Sequence, residues 1–219
     1  MKLSLSEEIL LLCVDDQSGR LRPMPDRALD YALAGAVLAD LEMRGHIALG
    51  EDLVQRRGDA AGELQPVHAT ALKLLPESES STLQSCLSLL AGENRTLRET
   101  VFDQLIERGI LARVRDEVLW IFRTERYETL DLSEEIEVQQ RIRAVVLDAE
   151  RKPSREELVL VALMEVCQLG PLMFSHAEFE QHRDRIRDLA NCDCIGCAVR
   201  HALTEIQRAM LEIRAYSGM

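Results

Sequence analysis

The segment from Leu158 to Leu169 is nearly all apolar, and it lies between Pro153 and Gly170-Pro171. A helix of that kind has no polar face to offer water, so other elements must surround it. It falls well short of the roughly 18 to 20 apolar residues that cross a bilayer, so the surrounding shell has to be protein. Shell helices are legible elsewhere. Leu29, Leu33, Val37, Leu38 and Leu41 recur at three- and four-residue steps, predicting a helix from about Asp26 to Arg44 with one buried face, closed by Gly45. Apolar residues make up 47% of the chain and aromatics only 4%, so Leu, Val, Ile, Ala and Met must fill the core, and these favour helices.

Start and stop signals divide the rest. Ser4 and Glu7, and again Ser154 and Glu157, stand at capping-box spacing, the first with Leu3 as a staple before a helix ending near Cys13. Asp15 to Gly19 reads as a turn, and Pro23 and Pro25 delay the next helix. Ile47, Leu49, Leu53 and Val54 predict short strands, Gln55 to Gly62 a loop, Thr70 to Leu75 a short helix or turn, and Glu77 to Ser81 a polar linker. Helices are expected over Thr82 to Leu90, Leu97 to Arg108, Glu134 to Arg151 and Phe174 to Leu189, with a last one beginning near Cys197. Ile110 to Leu132 reads as two strands whose most apolar stretch is Val118, Leu119, Trp120, Ile121 and Phe122. Arg44-Gly45-His46-Ile47 and Arg108-Gly109-Ile110-Leu111 share one device, a helix ending in Arg-Gly and leading into a strand. The fold class is mainly α with a minor β-hairpin. A length of 219 residues fits one large domain or two small ones.

With 38 acidic and 26 basic side chains the net charge is −12, a field that repels nucleic acid and anionic surfaces at long range. An anion site on this chain must therefore be a local basic pocket, and nucleic acid is not an expected partner. Met1 to Val14 is broken by Glu7 and Glu8 and lacks a cleavage pattern, so no signal peptide is expected. The six cysteines read as free thiols, and a reducing cytoplasm is the expected location.

Few residue patterns carry chemistry. Arg95 and Arg98 are three apart and share a helix face, where two guanidinium forks suit a phosphate or sulfate. The plainer reading is a solvated helix start with Arg98 paired to a neighbouring carboxylate. Leu119, Trp120, Ile121 and Phe122 point to both faces of a strand, so core, a partner subunit or lipid must cover one of them. Cys192, Cys194 and Cys197 form C-x-C-x-x-C with His201 one turn on. That set has the ligand types of a zinc shell or a redox centre, with a thiol at a helix start expected to ionise easily. Its spacing is compressed, and a thiol-rich loop without metal is the preferred reading. Glu7-Glu8 and Asp15-Asp16 read as solvated charge. No hydrolase elbow, Walker loop, dinucleotide fingerprint or zinc-protease motif is present, so catalysis and cofactors are not expected.

Three stretches near the N-terminus resemble the opening of the Golgi phosphoprotein 3 family and its prokaryotic relatives: Leu5 to Leu12, Asp16 to Leu21, and Leu38 to Ile47. Leu105 to Leu111, the hairpin through Trp120 and Phe122, and Arg141-Ile142 with Val145, Val146 and Leu147 follow in family order. The resemblance covers nearly the whole chain. It implies a single mostly helical domain over residues 1–219 with a protruding hairpin, and requires no metal. It also implies binding of phosphatidylinositol 4-phosphate in a shallow basic pocket, with the hairpin, Leu119 to Phe122, used for membrane contact or for a homo-oligomer. The family's Arg-x-x-Arg pair falls on Arg95 and Arg98, its Trp on Pro25 and its first Arg on Ala34, so two of four pocket groups are replaced.

The expectation is thus a non-enzymatic, cytoplasmic protein, peripheral on the inner membrane face, that binds anionic phospholipid headgroups, phosphate or sulfate through Arg95 and Arg98. The rival is a winged-helix-like protein-interaction or regulatory module without lipid binding; a metal or redox sensor on the cysteine cluster is a further one.

Overall fold

The computed structural model describes residues 2–50, 53–58, 64–76, 81–116 and 124–217. Helix α1 (Leu5–Cys13) starts at the capping box read from the sequence: Glu7 N–H donates to Ser4 Oγ at 3.3 Å and Ser4 N–H to Glu7 Oε2 at 2.8 Å. After the Asp15–Gly19 turn, α2 (Ala28–Met43) follows, and it is the centre of the molecule. Every residue from Ala28 to Leu41 is buried, against α1 and five later helices, α3 (Pro66–Leu74), α4 (Leu83–Gly92), α5 (Asn94–Glu107), α7 (Arg155–Val166) and α10 (Cys194–Ser217). This corrects the expectation of a single buried face. The cause is the run of small residues between the leucines: a Cβ on Gly35 would lie 2.7 Å from Val199 and 3.1 Å from Ile195, so α10 approaches the α2 backbone directly. The nearly all-apolar stretch that starts at Leu158 lies in α7, also buried, with its own capping box at Ser154 and Glu157.

Two small antiparallel sheets sit at the edges. One has the order β1 (Ile47–Leu49), β2 (Leu53–Arg56), β3 (Ser81–Thr82), in which β3 belongs to the stretch expected to be a polar linker. Helix α3 (Pro66–Leu74) connects β2 and β3 and begins at Pro66, earlier than the expected Thr70. The other sheet is the expected hairpin, β4 (Leu111–Asp116) with β5 (Thr124–Thr129), in register from Leu111 opposite Thr129 to Asp116 opposite Thr124. The apolar run Leu119, Trp120, Ile121 and Phe122 lies outside the described residues. Tyr127 anchors the hairpin: its ring stacks on Phe102 of α5 at 3.6 Å, and its N–H donates to Gly19 O at 2.7 Å. The chain ends with α6 (Ser133–Leu147), α7, the short α8 (Gly170–Met173), α9 (His176–Ala190) and α10.

The repeated Arg-Gly device is one cap made twice. Gly45 and Gly109 are left-handed, at φ 77° and 71°. In each case the two N–H groups after the helix bond back into its last turn: His46 to Leu41 O and Gly45 to Glu42 O, then Ile110 to Leu105 O and Gly109 to Ile106 O. Helix α7 ends identically, except that Gln168 takes the left-handed place at φ 57°.

Glu7 and Glu8 are buried, not solvated. Arg108 Nε lies 3.0 Å from Glu7 Oε1, and Arg141 Nη2 donates to Glu8 Oε2 at 2.7 Å. Burial nevertheless pushes the Glu8 carboxyl up to about 7, and Glu135 on α6 is pushed up to about 7 by burial and by neighbouring Asp16.

Candidate anion-binding site

Helix α5 begins one residue after α4 ends, with exposed Glu93 at the junction. Arg95 is exposed in its first turn, and Arg98 is half-buried one turn on. Arg98 Nη2 donates to Asp30 Oδ1 in the first turn of α2, so the start of α5 faces the start of α2. The same bond also realises the plainer reading of Arg98, since its partner is a carboxylate.

Arg27 joins this corner. It precedes α2 in a left-handed conformation, φ 63°, which disfavours a residue with a Cβ by about 1–2 kcal/mol. Three contacts hold it there. Nη2 donates to Ala91 O at the end of α4 at 2.8 Å, the guanidinium sits 5.4 Å from the Tyr31 ring centre, and Nε lies 3.7 Å from Asp30 Oδ2. The Asp30 side chain is only 6% exposed and lies between the two arginines. Neither helix start has a side-chain cap; the Ala28 N–H donates instead to Pro25 O at 3.0 Å. Two guanidiniums, Arg27 and Arg98, thus face Asp30, with exposed Arg95 and Glu93 at the junction of α4 and α5 and exposed Asp26 beside Arg27.

The two matched positions that lost the family's groups behave differently. Pro25 is half-buried beside the site, whereas Ala34 is wholly inside the core and lines no recess. Two clefts lie away from this corner. One of about 430 Å³ runs between α7, α9 and α10, and one of about 180 Å³ lies beside α1.

Cys192, Cys194 and Cys197 do lie at the start of the last helix, all exposed. Cys192 donates to Asp188 O at 3.2 Å and Cys197 to Asn191 O at 3.6 Å. The Cys194 thiol is pushed up, by desolvation and by Asp193, contrary to the easily ionised thiol expected at a helix start. Among the described residues no three His, Cys, Asp or Glu side chains are placed to hold a metal ion. On the outer face of α5, Glu99 and Asp103 pair with Arg113 of β4 at 3.0 and 2.9 Å.

The model of the Golgi phosphoprotein 3 (GPP34) family matches residues 5–206. The chain belongs to that family. Two fungal proteins named vacuolar protein sorting-associated protein 74 are similar to it. The one from Eremothecium gossypii is 28% identical over 165 residues, covering 66% of this chain and 49% of its own length. The one from Schizosaccharomyces pombe is 27% identical over 209 residues, covering 84% and 61%. The chain therefore spans about half to three-fifths of these relatives. Both are fungal, so they support the family and not a prokaryotic branch within it. No described helix of this family member is long and apolar enough to cross a membrane.

Proposed function

We propose that this Golgi phosphoprotein 3 family member is a non-enzymatic peripheral membrane protein that binds anionic headgroups of the phosphatidylinositol 4-phosphate type. Arg95 and Arg98 hold the phosphate, and Arg27 supplies the positive charge that Ala34 does not. The supporting observation is the meeting of Arg27 and Arg98 across α2 and α5, beside exposed Arg95, on a chain of net charge −12. Binding is weak, because charged hydrogen bonds worth about 1.5–3 kcal/mol each must offset the ordering of the headgroup. Salt weakens it further, since exposed charges are screened. The protein is cytoplasmic and peripheral on the inner membrane face, and the hairpin containing Leu119 to Phe122 serves membrane contact or a homo-oligomer.

The test is sedimentation with phosphatidylcholine vesicles, with and without phosphatidylinositol 4-phosphate. Wild type is compared with Arg95→Ala/Arg98→Ala, and circular dichroism checks the fold. Wild type should bind the phosphoinositide vesicles and the double variant should lose at least about tenfold in affinity. Equal binding by both proteins, or by neither, removes the site from the function.

A further inference from the structure

The Asp30 carboxylate stands where a ligand's oxygens would stand. One oxygen accepts from Arg98 and the other lies 3.7 Å from Arg27 Nε. It is nearly buried, and it is fixed in the first turn of α2, where the helix dipole favours a negative charge. An incoming anion faces two options. It displaces Asp30 from Arg98, leaving a buried carboxylate without that partner, or it binds beside Asp30 and meets like charge. A ligand carrying one negative charge gains little either way, because it offers the arginines no more than Asp30 already does. A phosphomonoester carries about −1.5 to −2 and three acceptor oxygens, enough to engage Arg27 and Arg98 together and still offer an acceptor outward.

We propose that Asp30 is a built-in competitor that makes this corner select phosphomonoesters over phosphodiesters and carboxylates. The inference rests on the headgroup-binding reading above and adds its chemical threshold. Selection is by charge, so the ring bearing the phosphate matters little. The variant that exposes the threshold is Asp30→Asn, which keeps the shape and an acceptor oxygen for Arg98 while removing the charge.

The experiment measures binding of the full chain and of Asp30→Asn to phosphatidylcholine vesicles carrying either phosphatidylinositol, a phosphodiester, or phosphatidylinositol 4-phosphate, which adds a monoester. Wild type should prefer the monoester vesicles. Asp30→Asn should bind both more tightly, with about tenfold gained on the diester, so that the preference narrows. An unchanged preference in a folded Asp30→Asn overturns the role of Asp30 and leaves headgroup binding standing. Absence of binding by either protein on either vesicle overturns both. Should Asp30→Asn not fold, wild type alone decides: equal binding to the two vesicles overturns the selectivity. Competition by free glycerol 3-phosphate, and not by dimethyl phosphate, identifies a site that also takes soluble monoesters; vesicle preference without such competition assigns it to lipid.

Discussion

Glu8 provides a direct test of how burial governs this protein's stability. Its side chain is 3% exposed, and although Arg141 donates to it, burial dominates and holds the carboxyl at about 7 against an ordinary 4.5. The folded state therefore keeps a proton that the unfolded chain releases. Where the native state binds more protons, stability falls as pH rises. Glu8 thus contributes fully below about pH 4.5, and the contribution is lost as pH rises through 7. At about 1.36 kcal/mol per pH unit, the loss across that window is about 3 kcal/mol. Glu135 is pushed up to the same value and adds a loss of similar size and sign. Glu178 acts oppositely. Arg143 and the Ser175 cap hold it at about 2, so its support is full above about pH 4.5 and is lost as pH falls toward 2. Urea unfolding at 25 °C from pH 4.5 to 8 should show wild-type stability declining through neutrality. Glu8→Gln, which keeps an acceptor for Arg141, should match wild type at the acid end and lose about half as much by pH 8. Parallel curves for the two proteins would refute the assignment, since Glu8 would then not titrate in this range.

Two further outcomes follow from backbone contacts. Gly196→Ala places a Cβ 2.3 Å from Ala162 and 3.3 Å from Ala190 O, so α10 must move off α7. A loss of about 1–3 kcal/mol is expected, with a melting temperature lower by about 2–4 °C for each kcal/mol. Gln168→Gly should raise it, because glycine takes the left-handed cap at φ 57° without the penalty of about 1–2 kcal/mol; an unchanged or lower melting temperature would refute the strain.

What was legible in the sequence depended on the range of the interaction that fixes it. Ser4 with Glu7 and Ser154 with Glu157 cap helices through groups three residues apart, so the sequence displays them. Gly45 and Gly109 close helices through the same local chemistry. The periodicity of α2 misled, because Leu29, Leu33 and Val37 mark one face while Ala28, Ala32, Gly35 and Ala36 make the rest just as buried. Glu7 and Glu8 read as solvated because Arg108 and Arg141, which accompany them inside, come from distant helices. The functional corner divides similarly. Arg95 and Arg98 stand out by spacing and by family likeness. Arg27 and Asp30 do not, since one depends on a left-handed residue and the other on a partner 68 residues away.

The direction of the hairpin bears on how the protein meets a surface. Strand β4 leaves the end of α5 and doubles back along it, with Arg113 reaching Asp103 and Glu99 while Tyr127 stacks on Phe102. The strands therefore advance toward the end of α5 that carries Arg95 and Arg98. Under the membrane role proposed above, engagement of one would raise the effective concentration of the other, since the second contact becomes intramolecular. Under that proposal two individually weak attachments would multiply, and residence on a membrane would be steeply sensitive to the loss of either.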